Sequence, residues 1–161
     1  MVTEHEGEAE RTKLVCFLLQ NQEYAADIHF VKESLTLRPI TRVALTPAWL
    51  AGVINLRGDV VAIIDLSLFL SMPETQTGAN TRIVIATQEG RRVGLLCDKL
   101  CDLRTLDLGE MQTPPSTLDS SSTSIIAGVL TLEDGHALRV LDLGALFESP
   151  ELASFRRGDS A

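Results

Sequence analysis

One stretch of the sequence decides the fold: Gly52-Val53-Ile54-Asn55-Leu56-Arg57-Gly58-Asp59-Val60-Val61-Ala62-Ile63-Ile64-Asp65-Leu66. Two apolar runs flank a short polar tip that carries Arg57 and Gly58. Apolar runs on both sides of a polar, glycine-containing tip are typical of two strands joined by a tight turn. The stretch therefore predicts a β-hairpin that presents a positive charge at its tip.

A degenerate copy of this hairpin returns later in the chain. It begins at Gly128, which follows Gly52 by 76 positions, and its Asp142 follows Asp65 by 77 positions. The one additional residue falls beside Asp134. The copy keeps the glycine, the apolar alternation and the Asp-Leu pair before a short helix. These shared features indicate an internal repeat.

The segments before the two hairpins are repeated as well. Strands predicted at residues 14–19 and 24–28 match strands predicted at residues 82–86 and 93–97. Tyr24 aligns with Val93, Val31 with Leu100 and Glu33 with Asp102, a shift of 69 positions in each case. The hairpins are shifted by 76 positions but these earlier segments by 69, so the second copy is longer by about seven residues. We place the additional residues in the Pro/Ser/Thr-rich loop at residues 113–124.

Each copy thus holds about five short strands and a short helix, enough to close a small barrel. We predict an all-β protein with short helices, built of two packed five-stranded barrels and a C-terminal helix that Pro150 interrupts. The predicted segments are an acidic disordered leader at 1–12, one domain at 13–155, barrel 1 at about 13–70, a linker at 71–81, barrel 2 at about 81–141, the helix at about 142–155, and a flexible tail at 156–161.

Composition excludes several classes of function. The net charge is −8 and aromatic residues make up only 4% of the chain, so a nucleic-acid surface is not expected. The apolar runs are too short to cross a bilayer, and the acidic start does not resemble a signal peptide. Three cysteines in or near apolar runs suit a reducing compartment. We therefore expect a cytoplasmic protein.

The residues offer little for catalysis or metal binding. Asp65 and Asp142 each precede a short helix, and we interpret them as helix caps rather than as an acid/base pair. Cys97 and Cys101 form a C-x-x-x-C pair, but the histidines are scattered, so no metal site is predicted. The sequence contains no nucleophile elbow, phosphate-binding loop or dinucleotide motif, and no cofactor is expected.

Arg57 has two interpretations. It is either a solvated turn residue or a planar fork that grips a carboxylate or a carbonyl of a partner. The corresponding residue of the second copy is Glu133. Divergence of a polar tip on a shared scaffold suggests that the first copy has a task that the second lacks. Glu33, by contrast, is interpreted as a surface carboxylate at a strand edge rather than as a partner contact.

At this point the residues suggest a family. The stretches 31–33, 42–50, 52–58 and 60–66 resemble the CheW-type coupling proteins of bacterial chemotaxis, and the resemblance covers about residues 13–147. It implies two packed, five-stranded SH3-like barrels. Ala62 departs from the family pattern, which usually has proline there; we expect a looser strand but the same fold.

The resemblance also implies a function. Such a protein is a non-catalytic adaptor that bridges the cytoplasmic helical tip of a methyl-accepting chemoreceptor to the regulatory domain of the histidine kinase CheA. It is expected to be cytoplasmic, recruited to membrane-associated receptor arrays, and monomeric when isolated. By position, the implied kinase-binding residues are Val31, Glu33, Gly52, Arg57 and Gly58. The implied receptor-binding residues are Leu14, Val84, Val93 and Gly94.

Two alternatives remain open at the level of sequence. One is a coupling protein of a non-flagellar chemosensory system that controls twitching, gliding or gene expression. The other, less favoured, is a small enzyme that uses Asp65 or Cys97.

Overall fold

The structure, a computed structural model, describes residues 11–112 and 125–153. In these ranges the strands are β1 Arg11–Leu19, β2 Gln22–Asp27, β3 Val31–Thr36, β4 Leu50–Leu56, β5 Asp59–Asp65, β6 Arg82–Gln88, β7 Arg91–Cys97, β8 Lys99–Leu100, β9 Arg104–Asp107, β10 Ile126–Thr131 and β11 Ala137–Leu141. The helices are α1 Leu66–Phe69 and α2 Leu143–Phe147, and short 3₁₀ helices lie at Ile28–Phe30 and Leu108–Glu110.

Several predicted segments fall wholly or partly outside the described residues. Outside them lie the first ten residues of the leader predicted at 1–12, the insertion predicted at 113–124, the last two residues of the helix predicted at about 142–155, and the tail predicted at 156–161. The first strand begins at Arg11, so residues 11 and 12 belong to a sheet and not to the predicted leader.

The strands form two sheets, as predicted for an all-β fold. Sheet I has the order β3-β6-β7-β5-β4. Sheet II has the order β10-β11-β2-β1-β8, and β9 also pairs with β1. Strands run antiparallel to their neighbours except at two places, where β5 pairs with β7 and β11 pairs with β2 in parallel.

The two sheets do not correspond to the barrel boundaries predicted at residues 13–70 and 81–141. The hairpin β1–β2 of the first copy lies in sheet II beside β11, and the hairpin β6–β7 of the second copy lies in sheet I beside β5. The copies have exchanged their first hairpins. Sequence shifts show which segments match, but they do not show which copy supplies the neighbouring strand.

Matching irregularities in the two sheets confirm the repeat. The β4–β5 register shifts between Leu50 and Gly52, and the β10–β11 register shifts between Ile126 and Gly128. Each bulged strand also pairs with one residue that lies outside the named strands. Thr41 pairs with Val53, and Gln112 pairs with Val129, each through two backbone hydrogen bonds of 2.8–2.9 Å.

The core has three parts that follow the alternation of side chains along the strands. On β5, Ile63 packs inside sheet I, whereas its neighbour Ile64 points into a cluster shared by both sheets. A third cluster lies within sheet II and includes Leu14, Cys16 and Leu138. The shared cluster contains residues from both copies, so it holds the two sheets together.

The C-terminal helix breaks where proline was predicted to interrupt it. Helix α2 ends at Phe147, and helical structure resumes at Pro150. Ser149 lies at the junction: its hydroxyl donates to the Leu146 carbonyl at 2.7 Å and accepts from the Leu152 amide at 3.4 Å. Proline is well tolerated at the first position of a helix because it needs no amide partner there.

Gly52 is required by the close approach of two backbones. Its φ of +148° is rarely adopted by other residues, and a Cβ there would lie 2.3 Å from the Thr41 carbonyl oxygen. We expect Gly52→Ala to lower the free energy of unfolding by about 2–4 kcal/mol, measured by urea denaturation. Gly78 has open space around it and is the matched control. We expect Gly78→Ala to change stability by less than about 1 kcal/mol; equal losses in the two variants would contradict this account.

Candidate functional site

The tip of the β4–β5 hairpin is a two-residue turn. Leu56 pairs with Asp59, and the turn residues Arg57 and Gly58 have φ values of +51° and +92°. Two successive positive φ values define the type I′ turn, which matches the twist of the flanking strands. The Asn55 side chain stabilises the turn, because its Oδ1 accepts the Gly58 amide at 3.0 Å. The predicted hairpin is therefore present.

Arg57 is held by a residue of its own chain. Its Nη2 donates to Oε2 of Glu33 on β3. β3 and β4 are the two end strands of sheet I, so this ion pair joins opposite ends of the strand order. The Arg57 side chain is nevertheless 63% exposed, whereas the Glu33 side chain is 24% exposed. Arg57 is thus neither a free turn residue nor a buried one, and Glu33 is more than a surface carboxylate.

The other residues predicted to bind the kinase are placed less uniformly. Gly58 shares the tip with Arg57. Val31 begins β3 opposite Ala86 and packs against the shared cluster. Gly52 lies within β4 against the Thr41 backbone. The structure therefore brings Arg57, Gly58 and Glu33 together, whereas Val31 and Gly52 serve packing and strand approach. Binding by any of them stays a prediction.

Most of the residues predicted to bind the receptor are internal. Leu14 is 0% exposed and Val84 is 1% exposed. A Cβ on Gly94 would lie 2.4 Å from the Ile63 side chain, so this position is filled as well. These three residues are therefore internal, and their part in receptor binding stays a prediction. Sequence periodicity marks such residues as apolar but does not separate core from groove.

Val93 is different, because it borders an apolar groove of about 320 Å³. The groove runs between sheet I and the C-terminal helical segment. Trp49 and Phe147 contribute aromatic rings to its lining, and Val60 on β5 is 73% exposed. The full lining is Val43, Trp49, Leu50, Val53, Val60, Ala62, Ile64, Arg91, Arg92, Val93, Phe147 and Leu152.

Sequence reasoning missed most of this groove. Val60 carried a usable signal, since it occupies an outward position on an alternating strand. Trp49 is the single tryptophan of the chain, and its ring meets Phe69 edge to face at 5.3 Å. No local pattern could have shown that Phe147, nearly 100 positions later, lies across from it. Ala62, the departure from the family pattern, pairs with Val53 and Val93 within a continuous β5.

Two arginines form the rim of the groove. Arg91 lies over the Phe147 ring at 5.3 Å, and its Nη2 donates to Glu148 at 2.7 Å. These contacts fasten the C-terminal helix to β7. Arg92 donates to Asp59 at 2.5 Å and so joins β7 to the hairpin of Arg57. The groove is therefore lined mainly by apolar side chains, and the two arginines beside them are ion-paired.

The two repeated aspartates are helix caps, as predicted. Asp142 Oδ1 accepts the Ala145 amide at 2.9 Å at the start of α2. Asp65 Oδ1 accepts the Leu68 amide at 3.3 Å at the start of α1. Asp65 also accepts the amide and the hydroxyl of Thr75 at 3.0 and 2.9 Å, and it is only 3% exposed. Its carboxylate oxygens are committed to structure rather than to chemistry.

Cys97, the other candidate of the enzyme hypothesis, is buried. Burial raises the pKa of its thiol to about 12, with a further contribution from the neighbouring Asp98. The nucleophilic thiolate is therefore scarce at neutral pH. Within residues 11–112 and 125–153, no group of three His, Cys, Asp or Glu side chains is arranged to hold a metal ion. None of the helices in these ranges is long and apolar enough to cross a membrane.

Comparison with known proteins agrees with this architecture. Residues 13–151 match the family model of the CheW-like domain. The chain belongs to the CheW-like family. It is 33% identical to the chemotaxis protein CheW of Rhizobium meliloti (strain 1021), over 86% of this chain and 89% of that protein. It is 31% identical to CheW of Klebsiella aerogenes, over 91% and 88%.

Two further relatives widen the picture of the CheW-like family. The crystal structure of the scaffolding protein TtCheW from Thermoanaerobacter tengcongensis superposes with a TM-score of 0.76 at 29% identity, covering 88% of this chain and 90% of that one. Protein FrzA of Myxococcus xanthus is 25% identical over 83% of this chain and 84% of its own length. The predicted family resemblance is confirmed.

The two capping aspartates differ in burial and in the number of bonds they accept, which gives a test of their structural roles. We expect Asp65→Ala to lower the free energy of unfolding by about 3 kcal/mol, because it leaves the Thr75 and Leu68 donors without their acceptor. We expect Asp142→Ala, which removes one exposed cap, to cost about 1 kcal/mol. Urea denaturation measures both, and equal costs would refute the assignment.

Proposed function

We propose that this chain is a non-catalytic scaffold that couples the cytoplasmic tip of a chemoreceptor to the regulatory domain of a CheA-type histidine kinase. Membership in the CheW-like family supports this proposal, as do relatives named as chemotaxis proteins and a structural neighbour named as a scaffolding protein. The single observation that carries it is that one small domain presents two chemically different surfaces, the charged hairpin tip and the apolar groove.

The hairpin tip suits the kinase. Arg57 is anchored by Glu33, so its guanidinium is oriented while most of its surface stays exposed. A planar guanidinium carries five donors, and one ion pair does not exhaust them. Oriented side chains lose less entropy on binding than free ones, which favours a specific polar contact. Gly58 keeps the tip narrow, and Val31 and Gly52 hold the strands beneath it.

The groove suits a receptor helix. Amphipathic helices bind by laying apolar side chains into a groove of this kind. Val93, Trp49 and Phe147 supply an apolar lining for the apolar face of such a helix. Val84 and Gly94 would act from inside, by supporting the strands of sheet I beneath the groove, whereas Leu14 lies in the cluster inside sheet II.

The proposal extends to location and assembly. A protein with these two surfaces would work in the cytoplasm and be recruited to membrane-associated receptor arrays. Each surface is small, so single contacts would be modest and the array would gain strength from many copies. The isolated chain is expected to be a monomer, and a stable dimer in analytical ultracentrifugation would contradict this. A non-flagellar chemosensory pathway is the second candidate setting.

Reversing the charge at the hairpin tip tests the kinase surface. We expect Arg57→Glu to raise the Kd for the kinase regulatory domain by at least about tenfold, measured by isothermal titration calorimetry. An exposed pair contributes about 0–1 kcal/mol to stability, so the variant should stay folded. Lys99→Glu is the matched charge reversal on sheet II and should leave the Kd within about twofold.

A double variant separates two roles of Arg57. Arg57→Glu with Glu33→Arg restores an ion pair within the chain but not a cation at the tip. Binding that stays weak would mean that Arg57 contacts the kinase, whereas recovered binding would mean that the pair only sets the shape of the tip. A folded Arg57→Glu variant that binds as well as the wild type would remove Arg57 from the interface.

An acidic substitution in the groove tests the receptor surface. Val60 is 73% exposed, so Val60→Asp should cost little stability, yet it places a charge where an apolar helix would lie. We expect the affinity for membranes that carry the chemoreceptor, measured by co-sedimentation, to fall by at least about tenfold. Leu103→Asp, at a residue 55% exposed outside the groove, is the matched control. Equal retention of both variants would rule the groove out.

A further inference from the structure

Two cysteines from different copies of the repeat face each other across neighbouring strands. β1 and β8 are antiparallel, with Phe17 opposite Leu100 and Leu18 opposite Lys99. The same register continued by one residue puts Cys16 opposite Cys101. The Cys101 amide donates to the Cys16 carbonyl at 2.8 Å, which confirms that the two backbones stay in contact at this position.

Their side chains also point the same way. Cys16 is a member of the cluster inside sheet II, and Cys101 packs against that same cluster. Directly opposed residues of antiparallel strands have Cα atoms about 4.5–5.5 Å apart, within the range of about 4.4–6.8 Å that a disulfide requires. The spacing of the two strands is therefore compatible with a cross-link between Cys16 and Cys101.

We propose that Cys16 and Cys101 form a dithiol redox site, which a peroxide converts into an intramolecular disulfide. This modification site is separate from the coupling role proposed above. It lies in sheet II, whereas the hairpin tip of Arg57 and the floor strand of the groove belong to sheet I.

The exposure of the two thiols sets the order of the steps. Cys16 is fully buried, whereas Cys101 is half-buried and is the thiol that a peroxide can reach. Burial raises the pKa of Cys101, and it raises the pKa of Cys16 to about 12. Both groups are therefore mainly thiols at neutral pH, and the site responds to sustained peroxide rather than to trace amounts.

The chemistry balances with peroxide as the oxidant. The Cys101 sulfur attacks one peroxide oxygen, the O–O bond breaks, and the thiol proton leaves with the departing hydroxide as water. Cys101 is then a sulfenic acid. The Cys16 sulfur attacks the Cys101 sulfur, an S–S bond forms, and the sulfenic hydroxyl leaves as a second water with the Cys16 proton. Two thiols lose two electrons, and one peroxide gains them.

Cys97 is the natural control, because it is close in sequence but lies in another part of the core. Its side chain is buried in the cluster shared by the two sheets, whereas Cys16 and Cys101 meet in the cluster inside sheet II. A C-x-x-x-C motif read from sequence would pair Cys97 with Cys101. The structure assigns Cys101 to Cys16 instead.

The disulfide would link the β1–β2 hairpin of the first copy to the segment of the second copy that pairs with it. Cys16 lies on β1 of the first copy, and Cys101 directly follows β8 of the second copy. A cross-link between them closes a loop of more than half the chain. Long loops are the ones whose closure restricts the unfolded state most. Oxidation should therefore raise the Tm by about 5 °C or more.

Mass spectrometry of the full-length protein tests the proposal. The reduced protein is incubated with hydrogen peroxide at pH 7.5, remaining thiols are alkylated, and the products are digested without reduction. Before alkylation, we expect the intact mass to be about 2 Da below that of the reduced protein. After digestion, we expect a cross-linked peptide pair that contains Cys16 and Cys101. Cys97→Ser should form the same product, whereas Cys16→Ser and Cys101→Ser should not.

Three results would overturn the proposal. They are a Cys97–Cys101 cross-link, oxidation of Cys101 to sulfinic acid with Cys16 still free, and a disulfide found only between molecules. Thermal unfolding of the oxidised wild type provides an independent check. A fall in Tm on oxidation would mean that the strands do not hold the two cysteines in a compatible geometry.

Discussion

The structure depends on two parallel strand pairs, β5 with β7 and β11 with β2. Each joins the second hairpin of one copy to the first hairpin of the other. Without this pairing, β5 and β11 would each leave a row of backbone donors and acceptors at an apolar edge. Such an edge is costly when buried and prone to aggregation when exposed. Neither half of the chain can therefore complete a sheet alone, and the two copies form one cooperative unit.

The exchange also places both surfaces of the proposed scaffold. Helices α1 and α2 follow β5 and β11 directly, and each begins at the aspartate that ends the strand. Because the exchange brings the two sheets together, the segment after α2 crosses in front of sheet I. Phe147 and Leu152 then lie against Trp49 and Val93 to form the groove. The groove is therefore a consequence of the strand order.

Sequence reasoning succeeded wherever the signal was local. The two-residue turn at Arg57 and Gly58 and both aspartate caps follow from residues a few positions apart. It failed where the information lay in the pairing of distant strands. A repeat with constant shifts is equally compatible with two separate barrels and with exchanged hairpins. Arg57 pairs with Glu33, and Val93 lines the same groove as Phe147, through the strand order of the folded sheets, so no pattern in either segment predicts these placements.

The divergence of the two hairpin tips has a physical consequence for a repeated molecule. In the first copy the strands are joined by two residues, whereas in the second the Leu132 amide bonds to the His136 carbonyl at 2.8 Å across three. Gly135, with a φ of +89°, accommodates the additional residue. This explains why the repeat shift grows from 76 to 77.

The two tips also differ in charge, since Arg57 corresponds to Glu133. A symmetric pair of barrels would offer the same surface twice. Changing the length and the charge of one tip makes the two hairpins distinguishable, and the proposed coupling of two different partners would require such a distinction.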